Sequence, residues 1–431
     1  MSRLIFVNRF YWPEEPATSQ LLTDLAQALA SGSDSPPACR DVTIVTSRRA
    51  PLPRRETRAG VNIRRVGPIR RDSRSLLARA LDLACFTAAA LLHLARHTRR
   101  GDTVILLTDP PLLGALATPL LRLRRAHIIH WVQDIYPEIA IELSGQGWLR
   151  ALRPLRDAAW RKAHACVTLG PDMAAVLHAA RVPPQRIHSI PNWALPELCE
   201  APAAETAALK KTWGLADKFV VLYSGNLGRV HDLPPILDIA AALLDEPQIV
   251  FAFVGRGAQQ APLRAIAQAR RLTNIHFLPP VPRAQLSTSL STGDLHLVTL
   301  KSGCESYVLP SKLYGIAAVS RPLLFIGPRR ASLFSEIPAA DIGLSFTRDE
   351  TAAAATAILE LAQAAPERRQ AMRLSVRAFS EKHAFAHALA AWRTLLAEVD
   401  GSAPTALPSA PAPAPADIGE KQNSAQQHLG Q

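Results

Sequence analysis

No Cys-x-x-Cys pair occurs in this sequence, and its five cysteines (Cys39, Cys85, Cys166, Cys199 and Cys304) are odd in number and widely scattered. That excludes a disulfide framework and a cysteine-based zinc site, and it suits a reducing compartment. A long apolar run is missing from the start: only Leu4–Val7 precedes Asn8 and Arg9. A secretory leader needs more, so the expectation is a cytoplasmic protein. Acidic residues are in deficit, 36 against 49 basic, a formal charge of +13. Many of the arginines crowd between Arg48 and Arg79, where no Tyr or Trp stands among them. Stacking platforms, helix-turn-helix patterns and finger spacings are absent there, so no nucleic-acid partner is expected. The charge is left to an anionic membrane surface and phosphorylated substrates, or to a plain solvated arginine face.

What is present describes a globular protein: 48% apolar and 20% charged over 431 residues, long enough for two domains. Short apolar strands at Leu4–Val7, 42–46, Thr103–Leu107, 127–132, 165–169 and 187–190 alternate with helical stretches such as 18–30. The pattern restarts with strands at 219–223, Ile249–Val254, Ile275–Leu278, Leu295–Thr299 and Leu323–Ile326. Strands separated by helices imply parallel sheets covered on both faces, here two α/β units. A final amphipathic helix is expected over 372–399, and an Ala/Pro/Ser-rich, then polar, disordered tail over 400–431. Residues 83–95 carry only Thr87 and His93 as polar positions, flanked by Arg79, Arg96, Arg99 and Arg100. Thirteen residues are too few to span a bilayer, which needs ~20. They fit either a core helix or a helix lying in the headgroup region, and the apolar run at 110–121 before Arg122, Arg124 and Arg125 favours the second.

Three segments carry chemistry. The turn Tyr223-Ser224-Gly225-Asn226-Leu227-Gly228-Arg229 follows a strand, and its glycines allow close approach to a phosphate, with Arg229 adding charge. It is neither a Walker loop nor a G-x-G-x-x-G fingerprint, and by itself it reads better as a plain tight turn. The segment from Gly303 through Glu305, Ser306, Pro310 and Ser311 to Lys312 is a loop leading into a helix start. Backbone N–H groups of Ser311 and Lys312 would face an anion there, the Lys312 ammonium would neutralise a diphosphate, and Glu305 would accept from sugar hydroxyls. A solvated Lys312 is the plain alternative. Asp134 ends a strand before Tyr136-Pro137. A carboxylate at that end faces the crevice of an open α/β sheet and could orient or deprotonate an acceptor hydroxyl, or simply cap a turn. Glu14 and Glu15, in the first loop, could also reach an acceptor. His130, Asn192 and Trp193 read as structural.

These segments, with Val254-Gly255-Arg256-Gly257, Phe10-Tyr11-Trp12-Pro13-Glu14-Glu15, Trp131-Val132-Gln133-Asp134 and Ile190-Pro191-Asn192-Trp193, resemble in order and spacing the retaining GT-B glycosyltransferases. The branch is the one that builds lipid-linked O-antigen, capsule or colanic-acid polysaccharides. The resemblance implies an α/β GT-B architecture, two Rossmann-like domains with parallel sheets facing a central cleft. It places an acceptor domain at 1–200, a nucleotide-sugar domain at 201–371, a helix at 372–399 returning to the first domain, and the tail at 400–431. It assigns Gly225, Asn226, Arg229, Gly255, Gly257, Val281, Ser306, Pro310 and Ser311 to the donor, Asp134, Glu305 and Lys312 to catalysis, and Glu14 and Glu15 to the acceptor. It further implies no cofactor and no metal, a nucleotide-sugar donor, a lipid-linked saccharide acceptor, and work at the inner face of the cytoplasmic membrane. The same architecture also serves nucleotide-sugar epimerases, and a non-catalytic sugar-nucleotide-binding subunit is a further alternative. Two departures stand out: Gly315 occupies the place of a second glutamate, and Asn226 and His231 occupy the places of an Arg and a Lys.

Overall fold

The computed structural model describes residues 3–14, 16–31, 41–69 and 75–401; Cys39, Glu15 and the tail beyond 401 lie outside the described residues. The first sheet contains β1 (Leu4–Val7), β2 (Val42–Arg48), β3 (Arg55–Arg58), β4 (Val61–Ile69), β5 (Thr103–Leu107), β6 (His127–Trp131), β7 (Ala165–Thr168) and β8 (Ile187–Ser189), in the order β3-β4-β2-β1-β5-β6-β7-β8. The second contains β9 (Phe219–Ser224), β10 (Ile249–Val254), β11 (Ile275–Leu278), β12 (Leu295–Thr299), β13 (Leu323–Ile326) and β14 (Gly343–Phe346), in the order β11-β10-β9-β12-β13-β14. Pairing is parallel throughout except between β3 and β4. β1, β5, β10, β12 and β13 are buried along their whole length, as strands covered by helices on both faces must be.

The chain winds outward in both directions from β1, between β2 and β5, and again from β9, between β10 and β12. At such a reversal the connections leave toward opposite faces, opening a crevice beyond the strands' carboxyl ends. The loop after β1 carries Glu14 and the turn after β9 carries Gly225. Topology therefore places both sequence-derived loops at crevices.

The hairpin β3–β4 was not expected from sequence; it falls inside the arginine-rich stretch, with Arg55 paired to Arg64. Residues 83–95 are the middle of a longer helix, α2 (Leu76–His97), whose Ser75 side chain accepts from the Ala78 N–H. The segment 372–399 is two helices, Pro366–Lys382 and Phe385–Val399, broken at His383 and Ala384. The break has a packing reason. The first helix buries Met372 and Val376 with the second sheet's cores. The last buries Trp392, Leu395 and Leu396 in the core of the first sheet, with Trp392 edge-on to Trp131 at 5.0 Å. One straight helix could not serve both.

Candidate active site

Two glycine turns form the floor on the second domain. Gly225 (φ +125°) and Gly255 (φ +141°) sit in backbone conformations that side-chain-bearing residues rarely adopt. A Cβ on Gly255 would lie 2.1 Å from the Gly225 carbonyl oxygen, and one on Gly257 would lie 2.5 Å from the Leu227 backbone. The turns therefore touch backbone to backbone, tied by Gly225 N–H to Val254 O and Leu227 N–H to Arg256 O, both 2.9 Å. Gly255→Ala is expected to cost roughly 3 kcal/mol of stability. Gly315→Ala is the internal control, because its Cβ would meet nothing nearer than 3.7 Å. Equal urea midpoints for the two variants would overturn the close-packing argument.

Lys312 opens the helix Lys312–Ala318, which has no side-chain cap at its start. Its side chain runs beneath Gly225, whose Cβ would meet Lys312 Cε at 3.0 Å. The ammonium donates to Tyr223 Oη and to His231 Nε2 (3.1 Å), and lies 3.9 Å from the Tyr223 ring centroid. The partners fix each other's protons. Tyr223 O–H donates to Asn226 O at 2.7 Å, leaving its lone pair to Lys312. His231 Nδ1 lies 2.8 Å from Thr299 O, so Nδ1 carries the hydrogen and Nε2 accepts. Burial, then the neighbouring Lys312, push His231 down to about 3, which keeps it neutral. Burial also holds Lys312 well below its ordinary pKa. Two of the ammonium's three hydrogens are thus used inside the protein, and one is left for a ligand.

Asn226 and Arg229 are exposed on the turn, and Arg229 has no hydrogen-bond or ion-pair partner among the described residues. Ser306 and Ser311 are half-buried and Pro310 is buried. Val281 packs against the small core formed by Leu215, Val220 and Leu222. Glu305 is buried with both carboxylate oxygens engaged: Oε2 accepts from Gly303 N–H at 2.7 Å, and Oε1 pairs with the exposed Arg330. It holds the loop's shape, and a sugar hydroxyl would have to share or displace those bonds. At Gly315 a Cβ would meet only Leu198 and Leu290.

Asp134 joins the two halves. It forms an antiparallel bridge with Val308, and Ile135 N–H donates to Tyr307 O at 2.9 Å. The backbone at Asp134 and Ile135 is therefore tied to the middle of the Glu305–Lys312 segment. Burial, reinforced by Asp109, raises it to about 6, and its N–H donates to Thr108 Oγ1 at 3.2 Å. Glu14 is buried, in an ion pair with Arg49 at 3.3 Å. His130 is buried against Thr118 Oγ1 at 3.1 Å, and Asn192 and Gln133 exchange two amide hydrogen bonds. Sequence reasoning missed Tyr223 as the partner of Lys312. The available signal was a buried tyrosine at a strand end, whose hydroxyl needs a partner.

Residues 20–193 match the glycosyl transferase 4-like domain. The two-sheet arrangement is the GT-B fold. WcaI of Escherichia coli (strain K12), which bears the name of a colanic acid biosynthesis glycosyl transferase, is 32% identical over 254 residues, covering 57% of this chain and 62% of WcaI. WbjE of Pseudomonas aeruginosa, named a probable glycosyltransferase, is 28% identical over 304 residues, covering 68% of this chain and 74% of WbjE. The fold is also that of sucrose-phosphate synthase from Thermosynechococcus elongatus (TM-score 0.72, 16% identity, 94% of this chain and 100% of that one). HepE from Anabaena, solved in complex with UDP-glucose, superposes with a TM-score of 0.68 at 14% identity, over 93% of this chain and all of that one. The matched residues begin in the helix Ala17–Ser31, take in β2 to β8 and end at Trp193.

Proposed function

We propose that this protein transfers a sugar from a nucleotide-sugar donor to a lipid-linked saccharide acceptor with retention, in building a cell-surface or exopolysaccharide. The observation that carries this reading is the Lys312 ammonium, held by Tyr223 and His231 beneath the Gly225 turn with one hydrogen free. In the reaction the bond between the sugar's anomeric carbon and the diphosphate oxygen breaks, and the diphosphate leaves with the electron pair. Lys312 and Arg229 stabilise the charge that develops on it, without a metal ion. The acceptor oxygen forms the new bond from the same face, and its proton passes to Asp134. The name of WcaI supports polysaccharide assembly, that of WbjE supports glycosyl transfer, and the UDP-glucose complex of HepE supports the donor class.

The test is incubation with a panel of nucleotide sugars and a lipid-extract acceptor, followed by mass spectrometry and by the anomeric coupling of the product. Nucleoside diphosphate released only with acceptor supports transfer. An interconverted sugar without acceptor identifies an epimerase, and binding without any product identifies a non-catalytic subunit.

A further inference from the structure

A cavity of about 270 Å³ opens at the amino ends of β12 and β13, where Asp294 precedes the first strand and Arg321 and Pro322 precede the second. The Gly225 turn, with Lys312 beneath it, follows the carboxyl end of β9, which runs parallel to β12. The cavity therefore lies at the opposite edge of the sheet from the donor cleft. Its other wall is the helix Pro366–Lys382, which presents Arg369, Gln370 and Arg373. Arg321 donates to Ser291 O at 3.0 Å and stands 3.4 Å from Glu200 Oε1. Arg373 donates to that same carboxylate oxygen. Arg369 turns one nitrogen to the carbonyls of Ala362 (3.0 Å) and Ala364 (2.8 Å). Asp294 is engaged elsewhere, accepting from Lys210 and from the Val220 N–H, both at 2.8 Å. The Nε atoms of Arg321 and Arg373 are buried, with no acceptor among the described residues. Burial, then the neighbouring Arg373, lowers the Arg321 pKa, as expected of cations held close.

Among the described residues, three guanidinium groups thus share the one carboxylate of Glu200, an excess of two positive charges. A phosphate monoester carries about −1.5 to −2 at neutral pH and offers three acceptor oxygens. Guanidinium forks match those oxygens in geometry as well as in charge. The volume stands just below the ~300 Å³ at which small-molecule sites begin, room for a phosphate with a small body attached. Pro322 and Leu361 give that body an apolar wall.

We propose that this cavity binds a small phosphate monoester through Arg321, Arg369 and Arg373, in competition with Glu200. Glu200 lies in the connection from β8 to the helix Ala203–Thr212, where the chain first passes between the sheets. Arg373 lies on the last helix before the chain passes back. The ligand thus takes the place of an ion pair that ties the two crossings together. Calorimetric titration of the full chain with glucose 6-phosphate and with inorganic phosphate tests the site. The ester should bind saturably and more tightly than inorganic phosphate. Arg369→Gln should weaken it by about ten-fold, while Arg368→Gln, one residue away in an exposed pair with Asp341, should not. Glu200→Gln removes the competitor and should tighten binding by about five-fold. Glu381→Gln, which removes the same charge from an exposed pair with Arg377 on the same helix, should leave it unchanged. Melting temperatures are read alongside; should Arg369→Gln unfold, the gain in Glu200→Gln carries the test. No saturable binding, or no gain in Glu200→Gln, would leave the arginines as struts and overturn the site. Equal losses in Arg368→Gln and Arg369→Gln would reduce the effect to net charge and overturn it as well. Equal affinities for the two probes would overturn the ester and make free phosphate the ligand. Binding kept in Lys312→Ala separates this cavity from the sugar-transfer reading, whereas binding lost there would put the ester in the donor cleft and overturn the proposal.

Discussion

Lys312→Ala is expected to cut acceptor-dependent release of nucleoside diphosphate by about 100- to 1,000-fold, the cost of removing one preorganised donor from a developing negative charge. The reason is geometric. The ammonium is fixed by Tyr223 Oη and His231 Nε2 before any ligand arrives, so orienting it costs nothing when the bond breaks. The sign of its pH dependence follows from burial, which holds the free enzyme's Lys312 well below its ordinary value. A diphosphate beside it favours the charged form and raises that pKa. Donor binding therefore takes up a proton wherever the ambient pH lies above the free-state pKa, and donor affinity falls as pH rises through that range. Calorimetry in buffers of different ionisation heat reads the proton directly. A Lys312→Ala enzyme that retains both the rate and the proton uptake would remove Lys312 from this role.

The central strands were legible because burial on both faces writes them as continuous apolar runs: Leu4–Val7, Thr103–Leu107 and Ile249–Val254 have the same bounds in sequence and structure. The edge hairpin was not. Its inward Val61 and Ile63 are interleaved with Asn62, Arg64 and Arg65, and the arginines dominate the composition. Its turn is marked in the sequence by Gly60 alone: Ala59 and Gly60 both take positive φ, +45° and +78°, the tight-turn geometry that joins two antiparallel strands, and an alanine does not announce it. The break at His383 and Ala384 has neither proline nor glycine to mark it, because the cause is tertiary, one helix packing on each domain. In the site, the glycine turns were readable from their spacing. The union of Lys312 with Tyr223 and His231 was not, since 89 and 81 residues separate the partners. The engagement of Glu305 by Arg330 was equally hidden, since only the folded loop brings the two together.

Asp134→Asn separates chemistry from architecture more sharply than any other single change. A positioned base contributes about 100- to 10,000-fold, and a loss of kcat in that range is expected, with the bridge to Val308 kept because it is made by backbone. Burial and Asp109 hold the Asp134 carboxyl at about 6, so in the unmodified enzyme kcat/KM should rise as pH increases through about 6 and flatten above. The stability consequence has the opposite sense. Between the ordinary value of 3.8 and about 6 the folded state binds more protons than the unfolded state, so this carboxyl lowers stability as pH rises across that window. Asparagine stays neutral, and the variant should melt at the same temperature or higher near neutral pH. Activity lost with the melting temperature kept, and the limb near pH 6 gone, identifies Asp134 as the group that takes the acceptor's proton. Activity and stability lost together would leave it a strut of the interdomain bridge, and activity kept would leave the proton to another group in the cleft.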